Sequence, residues 1–118
     1  MRAHHISVKH ALDGLYTAIH TQPNFRVHIS LSVLSIILGF VLEITRIEWI
    51  VLFSIISIGM AVELLNTAVE FTVDLLTSQY HLLAKYAKDT AAAAMLVYAV
   101  CSVIIGCLIF LPRIWQFI

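Results

Sequence analysis

Ionised side chains are scarce in this 118-residue sequence. Seven Lys and Arg and seven Asp and Glu make up 12% of the chain and leave no formal net charge. Soluble domains carry about a quarter charged residues, and a neutral chain lacks the basic surface that holds nucleic acid, so no nucleic-acid partner is expected. Cysteine is limited to Cys101 and Cys107, six apart in an apolar stretch and on different helix faces. Neither a disulfide nor a metal pair is expected of them, and both read as small buried hydrophobes. Glycine stands only singly, at Gly14, Gly39, Gly59 and Gly106, which excludes both a GxxxxGK[ST] phosphate loop and a GxGxxG turn. The first twenty residues hold four histidines, Arg2, Lys9 and Asp13 but no apolar h-region, so no signal peptide is expected.

What the sequence does have is apolar residues, 61% of the total. A chain this small cannot wrap so much apolar surface around itself, and it must lie in lipid. Within about 6–21, Val8, Ala11, Leu12, Leu15, Tyr16 and Ile19 recur at helical spacing opposite Lys9, His10, Asp13, Thr17 and His20. That pattern predicts an amphipathic helix lying flat at the membrane surface, ended by Pro23. Three spans follow, at about 25–43, 48–76 and 89–111, with a brief polar link at 43–48 and a polar connector at 77–89. Trp49 and Trp115 read as interfacial belt residues, with Pro112 closing the last span. Fold class is therefore all-α integral membrane in a single domain, 1–118. With the N-terminus cytoplasmic, Arg2, Lys9, Arg26, Lys85 and Lys88 face the cytoplasm and only Arg46 and Arg113 the other side, the positive-inside bias of a multi-pass membrane protein.

The second span carries an anomaly. At about 100° per residue, Glu63, Asn66, Glu70 and Asp74 share one stripe over about 16 Å of helix. A central membrane Asp costs about 2.5–3.5 kcal/mol on insertion scales, so the stripe must meet protein, water or a cation. Asp74 reads as solvated at the cytoplasmic interface, whereas Glu63 and Asn66 fall at or just inside the membrane boundary. Acidic oxygens a turn apart suit a hard divalent cation, and Mg²⁺ takes one or two carboxylates and leaves its other positions to water and phosphate. Lys88 on the connector supplies positive charge for phosphate, and Asp89 is placed to orient it or to cap the third span. A carboxylate near lipid suits a general base for a lipid hydroxyl. Together these features point to phosphoryl transfer to a lipid.

Two polar blocks sharpen that reading. The string Glu63-Leu-Leu-Asn66-Thr-Ala-Val-Glu70, followed by Ala84-Lys-Tyr-Ala-Lys88-Asp89-Thr-Ala-Ala-Ala-Ala94, resembles the signature of the prokaryotic diacylglycerol kinase family in composition and in spacing. The likeness extends through Asn24-Phe25-Arg26-Val27-His28 and covers nearly the whole chain. The link Arg46-Ile-Glu-Trp49 and the ending Ile109-Phe-Leu-Pro-Arg113 resemble the Gram-positive branch, whose members are undecaprenol kinases. The resemblance implies an ATP- and Mg²⁺-dependent lipid kinase of the bacterial cell membrane, a homotrimer with its site on the cytoplasmic side and shared between protomers. It implies Glu63 as catalytic base and Glu70 as ligand of the Mg²⁺ bridging the ATP phosphates. Asn66 would orient the reacting groups, Lys88 would bind phosphate, and Asp89 would help hold the nucleotide. One position departs from the pattern: where the family carries a glutamate as a further metal ligand, this chain has Gln22, whose uncharged amide predicts weaker ion binding.

Undecaprenol is the acceptor this resemblance favours, with diacylglycerol as the alternative. From other classes, a small proton or ion transporter would use Glu63 and Glu70 as relays, and an accessory subunit would pair its stripe with a partner's basic residues. The first leaves Lys88 and Asp89 idle, and the second predicts no enzymatic loss on neutralising Glu63. His4, His5 and His10 read as solvated terminal residues, and His20 and His28 as amphipathic residues flanking the descent into the bilayer.

Overall fold

A computed structural model describes the backbone of residues 2–118 and the side chains from Ser7 onward, so the side chains of His4 and His5 lie outside the described residues. Every regular element among the described residues is helical: α1 (Arg2–Thr21), α2 (Pro23–Val41), α3 (Arg46–Leu76) and α4 (Leu82–Gln116). The last three are long and apolar enough to cross a membrane. α3 and α4 pack most extensively, α2 lies against α3, and α1 touches both α2 and α3 at the end where Ala18 and Phe25 are buried.

Pro23 breaks α1 from α2 through Gln22, whose extended backbone (φ −114°, ψ 101°) caps α2 while the proline takes the first turn, where its missing N–H costs nothing. At about 1.5 Å per residue, α2 spans about 28 Å, just the hydrocarbon thickness, whereas α3 and α4 reach about 46 and 52 Å and must project beyond it. α4 starts at Leu82, well before the expected start near 89. His81 caps it, its Nδ1 accepting the Leu83 N–H at 3.1 Å, so Asp89 is not the cap: it and Lys88 lie on the second turn of a helix rather than on a connector. Helix α4 also runs through Pro112 to Gln116 rather than closing there, because proline's own φ is helical and only one donor is lost near the helix end.

The end remote from the α3–α4 turn is tightly stapled. The last turn of α2 closes with Ile44 N–H on the Gly39 carbonyl at 3.1 Å and Glu43 N–H on Phe40 at 3.3 Å, the paired bonds of a Schellman motif. Glu43 holds the left-handed position (φ 51°) that glycine usually fills. Thr45 and Glu48 then form a reciprocal capping box at the start of α3. Arg113 of α4 donates to Glu48 Oε2 at 2.6 and 3.1 Å and to the Glu43 carbonyl at 3.1 Å, tying all three spans together. Trp49 packs against Phe40 at a tilt and stacks on Phe53, and its ring occupies the space that a side chain at Gly39 would need. Cys101 and Cys107 are free and on the outer surface of α4, not buried as expected.

Most of the apolar side chains face outward, as they do in a protein whose solvent is hydrocarbon. Two outcomes are expected from the staple. Arg113→Ala removes a half-buried, multiply bonded cation and lowers stability by about 2–3 kcal/mol, read as an earlier midpoint when micellar protein is titrated with denaturing detergent. Glu43→Gly relieves the left-handed strain and shifts that midpoint later by about 1 kcal/mol.

Candidate active site

Between α2, α3 and α4 runs a groove of about 690 Å³ that reaches from Asn24, Glu70 and Ala92 at the α3–α4 turn end to Leu52 and Phe110 at the stapled end. Glu63, Asn66 and Glu70 of the α3 stripe all line it. Polar and apolar burial are inverted: Glu63 is 4% exposed, as buried as Leu52, while apolar residues such as Leu65 and Leu96 are about two-thirds exposed. The residue lies 17 positions into α3, about 26 Å along the helix, near the limit of a 30 Å hydrocarbon layer.

The polar groups around it are incompletely used. The Asn66 amide donates to Glu70 Oε1 at 3.4 Å, a long bond. Asn66 Oδ1 and His28 Nδ1, both on residues lining the groove, and Thr67 Oγ1 beside it in sequence are buried with no hydrogen-bond partner among the described residues. Such groups cost about 1–3 kcal/mol each when left unpaired in a folded chain, so the groove is organised for something polar to arrive. Deeper in the same groove His28 Nε2 meets the Tyr98 hydroxyl at 2.7 Å. Gly59 makes room for that pair: a Cβ there would collide with the Tyr98 ring and with His28.

A second recess, about 630 Å³, sits at the turn itself and is lined by Asp74, Thr77, His81, Lys85, Lys88 and Asp89 among others. Lys88 reaches across from α4 to Asp74 on α3, and Lys85 pairs with Asp89 one turn along its own helix. Both pairs are substantially exposed, and pairs of this kind are worth about 0–1 kcal/mol, so an incoming phosphate can replace them.

The fold thus gathers Glu63, Asn66 and Glu70 in one groove, and Lys88 and Asp89 with Asp74 in the adjoining recess. It does not bring Gln22 to either: that residue caps α2, its amide 3.4 Å from the Thr21 hydroxyl. The sequence reading missed two features. Lys85–Asp89 was legible as an i, i+4 pair once α4 is known to start at Leu82. His28–Tyr98 joins residues 70 apart and has no local signal at all; His28 read only as an amphipathic residue.

A sequence model for the family described as prokaryotic diacylglycerol kinase matches residues 9–110. The chain is 47% identical over 108 residues to the undecaprenol kinase of Bacillus subtilis, covering 92% of this chain and 88% of that one. It is 43% identical over 108 residues to the diacylglycerol kinase of Synechocystis, with 91% of this chain and 62% of that longer one covered. Against the diacylglycerol kinase of Escherichia coli K12 the identity is 33% over 96 residues, 81% and 79% of the two chains. A buried acidic groove on three membrane-length helices, beside a basic recess, coincides with these matches along the chain's whole helical core: the chain belongs to the prokaryotic diacylglycerol kinase family, and it is a multi-pass membrane lipid kinase.

Proposed function

We propose that this chain transfers the γ-phosphoryl group of ATP, with Mg²⁺, to the hydroxyl of undecaprenol, giving undecaprenyl phosphate. The observation that carries the reading is the burial of Glu63 in a groove whose far end is apolar and whose near end adjoins the lysine-bearing recess. A lipid alcohol entering from the bilayer meets a carboxylate at the level where its hydroxyl resides. A nucleotide entering from water meets Lys88 and Asp89 first.

In this mechanism the lipid hydroxyl oxygen bonds to the γ-phosphorus, the bond from that phosphorus to the β–γ bridging oxygen breaks, and ADP leaves. Glu63 accepts the hydroxyl proton as the new bond forms. Asn66, already hydrogen-bonded to Glu70, orients the reacting groups, and Lys88 exchanges its Asp74 partner for phosphate while Asp89 helps hold the nucleotide. Among the described residues no three His, Cys, Asp or Glu converge as a metal cluster. An oxygen-only set led by Glu70 nevertheless fits a hard cation that takes most of its ligands from phosphate and water. Bound there, Mg²⁺ supplies charge neutralisation on the transferring group.

The assembly proposed is a homotrimer in the bacterial cell membrane with the site on the cytoplasmic face. Its support is the broad apolar exposure on the outer surface of α4 and the placement of Arg26, Lys85 and Lys88 at one end of the bundle; in such an assembly Gln22, which lines neither recess of its own chain, would serve a neighbour's. Undecaprenol is preferred over diacylglycerol because the relative with that name shares 47% identity, against 33–43% for the diacylglycerol kinases compared above.

Purified protein with labelled ATP and Mg²⁺ is expected to label undecaprenol in mixed micelles more efficiently than diacylglycerol. Labelling of neither lipid overturns the catalytic reading, and preference for diacylglycerol overturns the acceptor. Glu63→Gln is expected to reduce transfer by about 10²–10⁴-fold with assembly intact; near-native transfer in this variant excludes Glu63 as the base. Gln22→Glu is expected to lower the Mg²⁺ concentration giving half-maximal rate, and an unchanged magnesium profile removes Gln22 from the metal site.

A further inference from the structure

The groove changes character at one level. Above it lie the acidic and amide groups of Glu63, Asn66 and Glu70 with Asn24; below it lie Leu31, Leu52, Ile55, Ile56, Ile105 and Phe110. The hydroxyls in the lower part have their donor hydrogens committed, because Ser32, Ser35 and Ser102 each donate to a carbonyl of their own helix, at 2.8, 2.9 and 2.8 Å. At the boundary stands the His28–Tyr98 pair, which joins α2 to α4 across the face of α3 at Gly59. Gly59 precedes Glu63 by four residues, so the pair sits about 6 Å deeper in the membrane than the carboxylate. The two rings meet edge to face, 5.1 Å between centroids at 73°, and the contact is a built one: only glycine at position 59 leaves space for it.

We propose that the His28–Tyr98 bridge is a positioning element for the lipid acceptor, the floor of a polar chamber that stops the alcohol's hydroxyl at the level of Glu63 while its hydrocarbon chain continues along the apolar groove beneath. This rests on the lipid-kinase reading of the same groove. The acceptor class it fits is a lipid alcohol with a long hydrocarbon chain, which passes a bridge whose Nε2–hydroxyl bond is made within the protein while His28 Nδ1 stays buried without a partner among the described residues. Placement matters because a misalignment of about 1 Å can cost on the order of 10²-fold in a transfer step. With the floor removed, the alcohol sinks, and water takes its place against the γ-phosphate.

The readout is the ratio of ATP hydrolysed to lipid phosphorylated, measured on the full-length protein in micelles containing undecaprenol, with the KM for ATP alongside. His28→Leu keeps volume and deletes the hydrogen bond, and it is expected to raise the ratio about tenfold with the KM for ATP within twofold of native. His28→Gln, whose amide oxygen can accept from Tyr98, is expected to return it to within twofold of native. Tyr98→Phe removes one oxygen and leaves the ring to pack, so it remains assayable if His28→Leu does not fold; its ratio is expected to rise in the same direction, by about threefold. The double variant His28→Leu with Tyr98→Phe is expected to be no worse than His28→Leu alone, as for two halves of one device. A native ratio in Tyr98→Phe or His28→Leu, or a parallel fall of hydrolysis and transfer, overturns the bridge proposal. Native protein that phosphorylates neither undecaprenol nor diacylglycerol instead overturns the function reading on which it stands.

Discussion

A carboxylate is buried in a chain that wears its hydrocarbon on the outside. Glu63 is as hidden as the best-packed leucine, and the energetic cost of placing it there sets the terms for everything around it. It demands a neighbourhood of oxygen and nitrogen groups, which the stripe on α3 supplies through Asn66, Thr67 and Glu70. It demands shielding from acyl chains, which α2 and α4 supply by flanking the groove. It also fixes the length of α3, since a helix of 31 residues is needed to carry the acid at the membrane limit and still deliver Asp74 to water. The prokaryotic diacylglycerol kinase family is the functional context in which such an arrangement on three membrane-length helices makes sense.

Much of the fold could be read along the chain because the bilayer simplifies the problem. Long apolar runs force helices, Pro23 forces a break, and the scattered charges mark where lipid ends. The stripe from Glu63 to Asp74 was visible for the same reason: acids on one helical face are conspicuous against an apolar background. What escaped the sequence were relations between helices. His28 and Tyr98 lie 70 residues apart, and nothing in either local stretch announces the other. Arg113 read as a terminal charge, yet its guanidinium holds the start of α3 and the end of α2. The start of α4 was also misjudged, with Asp89 read as placed to cap it. Asp89 is the better cap by residue type, but the backbone turns extended at His81, and the imidazole takes the role.

The site itself divides along the same line. Glu63, Asn66 and Glu70 occupy one helix, so their juxtaposition follows from periodicity alone. Lys88 belongs with them only because α4 folds back and pairs it with Asp74, a relation between two elements that the connector obscured. Gln22 is the remaining case. Its position at the α2 cap is settled by Pro23, and its side chain lines neither recess, although Asn24 two residues on lines the groove.

The contrast between the two ends of the bundle has a mechanical consequence. One end is clamped by a guanidinium with several bonds, a reciprocal cap and packed aromatic rings, whereas at the other, where α1 packs on α2 and α3, the lysines are held only by water-exposed ion pairs of little strength. The exposed pairs between and along α3 and α4 can be exchanged for other charged partners at small cost, whereas the staple cannot. Rearrangement of charge is thereby confined to the aqueous mouth, while the buried roots keep their registration.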